Sequence, residues 1–118
     1  MSFVITAIDA LALSVPLSDL PPHLVQAPGV TAGAVHLASI DGMDVGVWEH
    51  SAGVSTDTEA SEVFVVVSGR GRVTCEQGGV IDLAPGVVGY LEAGARTRWE
   101  IDEPVRKVWI SRSVDTAQ

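Results

Sequence analysis

GVSTDTEASEVFVVVSG, which spans residues 53–69, decides the fold of this chain. Its second half, EVFVVVSG, is a run of β-branched and aromatic residues that stops at a Ser-Gly pair, which is typical of a β-strand. Because side chains alternate along a strand, Glu62 shares a face with Phe64 and Val66. A carboxylate on an apolar face is a candidate functional group, since burying it without a partner costs several kcal/mol.

Short apolar segments separated by turn-forming pairs continue on both sides of this stretch. We predict strands at 2–8, 33–39, 43–50, 62–67, 71–76, 80–83, 87–91, 95–101 and 105–112. The separators, such as Asp41-Gly42, Gly78-Gly79 and Pro85-Gly86, are turn signals. Short strands at this spacing, without alternating helices, predict an all-β sandwich or barrel. Residues 1–30 hold four prolines and are expected to form a strand and an arm packed on a barrel of residues 31–118.

The composition excludes several classes of partner. Seven basic against 15 acidic residues give a net charge of −8, so nucleic acid and anionic membranes are not expected partners. A lone cysteine, Cys75, excludes an intrachain disulfide and a multi-thiolate zinc site. The sequence has no apolar run of about 20 residues and no basic segment at the N-terminus, so we expect a cytoplasmic protein.

Two glycine-punctuated segments that flank a hairpin resemble the two motifs of the cupin family. Glu62, six further residues and Gly69 match the end of the first motif, and the segment from Gly86 through Gly94 to Thr97 matches the second. The pieces GVWEH, LAPG and EPVRKVWI are similar to the cupin subgroup related to ureidoglycine aminohydrolase. This resemblance implies an all-β, single-domain cupin: a double-stranded β-helix, or jelly-roll barrel, with an N-terminal arm.

The resemblance also shows which metal ligands this chain lacks. Metal-binding cupins use two histidines and a glutamate of the first motif and a histidine of the second. Aligned residue by residue, the histidine positions carry other residues: Thr56 and Thr58, or Ser55 and Asp57 if the gap moves by one, and Thr97. Glu62 is retained, but one carboxylate among hydroxyls is a poor transition-metal site. We therefore expect no metal and no other cofactor.

The polar and aromatic residues near the motifs form a candidate ligand-binding set. Its members are Trp48, Thr56, Thr58, Thr97 and Trp99. Tryptophans supply apolar walls and threonines supply hydrogen bonds, although core packing and β-propensity explain the same residues. On strand 43–50 either Val45 and Val47 point inward, or Trp48 and His50 do. In the second case, His50 is expected to pair with Glu62 as a catalytic acid–base dyad near neutral pH.

Three functions remain open. We favour a cupin that binds a small polar organic molecule in the barrel without a catalytic transition metal. The second is an enzyme, either similar to ureidoglycine aminohydrolase and acting on a C–N bond, or a metal-free isomerase or lyase that uses Glu62. The third is a structural or regulatory dimer with a filled barrel. Because the N-terminal strand has no evident partner and open sheet edges need covering, we expect a homodimer.

Overall fold

The computed structural model describes residues 5–112 of the chain, and nearly all of its regular structure is β. The strands are β1 (Ser18–Asp19), β2 (Thr31–Ile40), β3 (Met43–His50), β4 (Gly53–Thr58), β5 (Glu62–Cys75), β6 (Val80–Leu83), β7 (Val88–Leu91) and β8 (Arg96–Arg112). A 3-10 turn covers Pro22–Leu24 in the proline-rich arm. Within these described residues, no helix is long and apolar enough to span a membrane.

The long strands β5 and β8 pair with each other and belong to two sheets. In the first sheet the order is β1-β2-β3-β8-β5-β7, formed by the second half of β8 and the first half of β5. In the second sheet, the other halves of β8 and β5 lie between β4 and β6. All pairings are antiparallel, so the predicted all-β jelly roll is confirmed.

Two predicted breaks between strands lie within continuous strands. Segments 62–67 and 71–76 join into β5, and segments 95–101 and 105–112 join into β8. The pairing between β5 and β8 shifts register three times between Val66 and Gly71, but it continues on both sides. Gly69 has φ 94°, and a Cβ there would lie 2.1 Å from the carbonyl oxygen of Pro104. Ser-Gly therefore marks a bulge where two backbones approach, because turns and bulges both favour glycine.

The sequence pattern missed β4 and misplaced the N-terminal strand. Gly53–Thr58 has no apolar alternation, yet it pairs residue by residue with the start of β8. Of the predicted strand 2–8, residues 2–4 lie outside the described residues, and residues 5–8 are not in a strand. Ile5 is 97% exposed, and no strand in the described part of the chain lies beside it for pairing.

The arm is attached to the outer face of the first sheet. The guanidinium of Arg106 donates to the carbonyls of Ala10, Leu11 and Leu13, and it also binds Glu49 at 2.7 Å. Val15 is buried in this layer. The arm therefore covers the part of the sheet that surrounds Arg106.

The barrel interior holds the main core. Its buried members are Phe64, Val66, Val73, Leu83, Leu91, Trp99, Ile101 and Val105. The predicted apolar face that Glu62 shares with Phe64 and Val66 is inward, because Phe64 and Val66 are fully buried. Strand β3 was ambiguous because both of its faces are covered: His50 is buried on the barrel side, and Val47 is buried on the side that carries Glu49 and the arm.

Candidate functional site

Glu62 has a partner that the motif comparison did not indicate. The ammonium of Lys107 on β8 donates a hydrogen bond to Glu62 Oε2 at 2.5 Å. The Lys107 side chain is only 5% exposed, and that of Glu62 is mostly buried. Lys107 lies opposite Val66 of β5 and Trp48 of β3, which places it on the inward face. The barrel therefore contains its own buried cation.

Three aromatic rings surround this ammonium. Lys107 Nζ lies 4.5 Å from the ring centroid of Trp48, 4.7 Å from Phe64 and 4.6 Å from Trp99. A desolvated cation–π contact contributes about 2 kcal/mol, so the rings and the carboxylate together replace much of the lost hydration. We call Lys107, Glu62 and these three rings the lysine cage. It fills the centre of the barrel.

Lys107 was missed although the sequence contains a signal for it. The segment EPVRKVWI was noted only as a family resemblance. Alternation along β8 puts Lys107 on the same face as Val105, which is fully buried, and Trp109, which packs against the core. A lysine between two apolar residues of one strand face needs a buried counterion, and Glu62 was the carboxylate already assigned to the interior.

His50 lies in the barrel but does not pair with Glu62. Its Nδ1 donates to the Ser51 carbonyl at 2.5 Å, so its Nε2 accepts from the Ser55 hydroxyl at 2.8 Å. Burial lowers the pKa of His50, the Ser51 carbonyl opposes this shift, and the charge of Lys107 adds to the lowering. Histidine is therefore neutral here at pH 7. The predicted dyad is not formed by the described residues because Lys107 holds Glu62.

The three threonines predicted to bind a ligand line one outer cavity of about 470 Å³, although only Thr97 is buried. Arg96 and Arg98 lie in the same wall. Ser55, one residue from Thr56, is the inward residue that reaches His50. The alignment shifted by one residue, which places Ser55 and Asp57 at the histidine positions, is therefore the one that matches the strand geometry.

Thr97 is buried and belongs to an acidic cluster near the cage. Its hydroxyl donates to Glu59 Oε2 at 2.6 Å, and the indole N–H of Trp99 donates to the same oxygen at 3.0 Å. Burial raises the pKa of the Asp57 carboxyl and the Glu59 charge raises it further, while the Thr58 amide and Lys107 oppose these effects. Glu59 was not predicted as a site residue, because it lies outside every segment that has an apolar strand pattern.

A cavity of about 510 Å³ opens where β5 and β7 end and β8 begins. Thr97 lies in its wall with Val73, Cys75, Gln77 and Leu91. Neither this cavity nor the outer cavity beside Thr56 and Thr58 is lined by Glu62 or Lys107. We call this cavity the mouth cavity. Thr97 connects it to the acidic cluster, and Asp57 and Thr97 also line the outer cavity of about 470 Å³.

The residues at the metal-ligand positions do not fit a transition metal. Among the described residues, no group of three or more His, Cys, Asp or Glu side chains converges in a way that could hold an ion. Glu62 is bound by Lys107, the Ser55 hydroxyl by His50, and the Thr97 hydroxyl by Glu59. Neutral hydroxyls are weak ligands for such metals, so this barrel lacks the donor set of a metal-binding cupin.

Comparison with known proteins agrees with the all-β jelly-roll fold. The sequence model of the EutQ-like cupin domain matches residues 37–109, more than half of the chain. The chain belongs to the cupin family. Among curated proteins, none matches this cupin.

Solved structures of other cupins show the same fold at low sequence identity. The EutQ protein of Clostridium difficile superposes with a TM-score of 0.74 at 16% identity, covering 94% of this chain and 89% of its own. A Pseudomonas syringae protein of unknown function gives 0.73 at 23% identity, covering 89% and 46%. Ectoine synthase from P. lautus gives 0.60 at 15% identity, covering 80% and 72%. At these identities, the likeness concerns the fold alone.

Proposed function

We propose that this cupin binds a small polar organic molecule in the barrel, without a catalytic transition metal. The supporting observation is Lys107, whose ammonium occupies the one carboxylate retained from the metal-binding motif. A divalent cation at Glu62 would have to displace this ammonium or meet a like charge at short range. The positive charge beside Glu62 is then the ammonium of Lys107 rather than a metal ion.

The mouth cavity is the place where such a molecule fits best. Trp48 and Trp99, which were predicted to bind a ligand, contact the Lys107 ammonium and do not line the mouth cavity. Thr97 is the predicted ligand-binding residue that lines the mouth cavity. Its hydroxyl is oriented by Glu59, and the cavity volume of about 510 Å³ is that of a small-molecule site.

The surroundings of the mouth cavity indicate the chemical class of the ligand. The described lining is largely apolar, with Cys75, Gln77, Tyr90 and Thr97 as neutral polar residues and Glu92 as its charged residue. Glu59 lies directly behind Thr97. A negative potential of this kind disfavours anions and favours neutral or cationic groups. We infer a ligand with a short apolar part and a hydroxyl, amide or ammonium group.

The experiment compares three probes of equal length by ¹H–¹⁵N NMR: n-butylammonium, 1-butanol and butyrate. The first two are expected to shift the amide signals of Cys75, Gln77 and Thr97 at millimolar concentration, and butyrate is not. Thr97→Val should abolish these shifts. The matched control Thr58→Val, on the outer face, should retain them.

The same preparation, purified without chelator, is expected to contain no stoichiometric Mn, Fe, Ni or Zn. Stoichiometric metal in the barrel would reject the metal-free part of the proposal. Absence of any shift with all three probes, or equal shifts in the Thr97→Val variant, would reject the binding part.

A second candidate function is structural, and the filled barrel centre favours it. The Lys107 ammonium and its three aromatic neighbours occupy the space beside Glu62. A domain of this kind would act through its outer surface. The NMR comparison separates the two candidates, because a structural domain predicts no probe-dependent shifts at the mouth cavity.

A further inference from the structure

The outer face of the second sheet carries many of the basic residues of this acidic chain. Three of the seven lysines and arginines lie there: Arg72 on β5, and Arg96 and Arg98 on β8. Arg96 and Arg98 alternate with the buried Thr97 and Trp99, so both guanidinium groups lie outside the barrel. The carboxylates on the same face are Glu76, Asp82 and Glu100. Charges on this face therefore balance, whereas the chain as a whole has a net charge of −8.

Arg98 lies between two threonines of neighbouring strands. It is opposite Thr56 of β4 on one side and Thr74 of β5 on the other. Directly opposite residues share a face of the sheet, with Cβ atoms about 4.5–5.5 Å apart. In the next row, Thr58 is opposite Arg96. The guanidinium of Arg98 and three hydroxyls therefore lie on one continuous surface.

These side chains line the outer cavity of about 470 Å³. The 3-10 turn of the arm adds Leu24 to its wall. Backbone contacts attach the arm at this point: Val25 forms a bridge with Ser55, and the N–H of Gln26 donates to the Val54 carbonyl at 3.2 Å. The outer cavity is therefore a site between the arm and the sheet, and its volume is that of a small-molecule site.

The outer cavity contains hydrogen-bond donors that the chain itself does not use. Among the described residues, the hydroxyls of Thr56, Thr58 and Thr74 have no hydrogen-bond partner. The Nε of Arg98 lies 3.6 Å from the carboxylate of Glu100, which is beyond hydrogen-bond distance. A guanidinium and three hydroxyls that can all donate are a set that an oxyanion satisfies.

Two carboxylates also line the outer cavity, and each has a partner within the chain. Glu76 Oε2 accepts from the Nε of Arg96 at 2.7 Å. The Asp57 carboxylate accepts from the backbone N–H of Thr58 at 2.8 Å. Arg98 is therefore the cation of this cavity that is available to a ligand. Asp57 limits the affinity for an anion, because like charges repel at close range.

We propose that the outer cavity binds the phosphoryl group of a small phosphate monoester. A guanidinium donates to two oxygens of such a group side by side, and its remaining oxygen accepts from the threonine hydroxyls. A carboxylate has only two oxygens and would leave these hydroxyls without an acceptor. Leu24 supplies an apolar contact for the organic part of the ligand.

The charge of the chain restricts the ligand to a small molecule. A net charge of −8 disfavours a polyanion such as nucleic acid, whereas one phosphoryl group can interact with Arg98 locally. The proposal does not depend on a ligand in the mouth cavity. Because Thr97 lines both cavities, its signals are not used to assign binding to either one.

The test is a ¹H–¹⁵N NMR titration of the full chain with n-butyl phosphate, inorganic phosphate and butyrate at constant ionic strength. We expect n-butyl phosphate to bind at millimolar concentration and to shift the amide signals of Thr56 and Thr74 and the Nε–H signal of Arg98. Inorganic phosphate, which has no organic part to contact Leu24, should bind several-fold more weakly, and butyrate at least tenfold more weakly. The amide of Leu91, which lines only the mouth cavity, should not shift.

Three variants test the assigned residues. Arg98→Gln should weaken the binding of n-butyl phosphate at least tenfold. The matched control is Arg72→Gln, which removes a similarly exposed arginine from the same face outside the cavity and should leave the affinity nearly unchanged. Asp57→Asn removes the repelling charge and should strengthen binding. Both arginines are about half exposed, so their variants should keep the amide spectrum of the barrel core.

Four results would overturn parts or all of this proposal. Absence of shifts at Thr56 and Thr74 with both phosphates would reject the site, as would equal losses of affinity in Arg98→Gln and Arg72→Gln. Equal affinity for butyrate and n-butyl phosphate would reject the phosphoryl group as the recognised chemistry. Equal affinity for inorganic phosphate would reject the contact with Leu24 and assign the site to the free ion. Unchanged binding in Asp57→Asn would reject the role given to Asp57.

Discussion

Arg106 and Lys107 are neighbours on β8 that carry the same charge to opposite faces of the first sheet. Lys107 points into the barrel, where one carboxylate and three aromatic rings surround it. Arg106 points outward, where Glu49 and three arm carbonyls bind its guanidinium. The compact ammonium suits the aromatic enclosure, and the planar guanidinium suits several acceptors at once. The first cation holds the core together, and the second attaches a peripheral segment.

Removal of Lys107 is expected to have the largest effect. Lys107→Met leaves Glu62 buried without a counterion, which costs about 3–5 kcal/mol of unfolding free energy. Urea denaturation measures the loss. In the double variant Lys107→Met and Glu62→Gln, the unpaired charge is absent, and more than half of the loss should be recovered. A single variant that loses less than about 1 kcal/mol would contradict the role given to the lysine cage, because exposed ion pairs are worth that little.

Removal of Arg106 is expected to have a smaller and more local effect. Arg106→Ala loses charge-assisted hydrogen bonds to Glu49 and to the arm, each worth about 1.5–3 kcal/mol. Because the arm is the segment that these bonds attach, we expect its detachment to limit the effect on the barrel. Amide exchange of residues 11–15 should become much faster while that of β5 stays unchanged. Arg106→Lys is the control, and it should restore little because an ammonium lacks the planar fork that meets several acceptors. Equal acceleration in β5 would show that Arg106 supports the barrel itself.

The pH dependence that comes from His50 is expected to be the smallest effect. Because its pKa is lower in the folded chain than the usual value of about 6.5, the unfolded chain binds more protons between these two values. The free energy of unfolding is therefore higher above about pH 6.5 than at lower pH. This difference, which comes from His50, is lost as the pH falls through the pKa of the folded chain. Urea midpoints measured from pH 7.5 to 5 should fall more steeply for the wild type than for His50→Gln. Identical slopes would contradict the burial of a neutral His50.

The sequence predicted those features that depend on local alternation. The inward position of Glu62 beside Phe64 follows from period 2, and burial confirms that face. The partner of Glu62 comes from 45 residues away. Alternation along β8 places Lys107 on an inward face, but it does not show that β8 pairs with β5 at Glu62. Strand β4 was missed for a related reason. Its inward residue Ser55 is polar and forms its hydrogen bond with the His50 ring. The strand therefore shows no apolar alternation. A buried polar residue such as Ser55 removes the apolar pattern of its own strand, and a hydropathy pattern does not identify the partner of any buried polar group.

The sharing of β5 and β8 between the two sheets also bears on how this domain folds. These strands are joined by the 20 residues 76–95, which contain β6 and β7, so the central pair closes over a moderate loop. Each sheet contains one half of the β5–β8 pair. The two central strands of either sheet are therefore hydrogen-bonded to each other only after β5 and β8 are in register. The bend at Gly69 thus divides one ladder into two sheets without dividing the domain into two folding units.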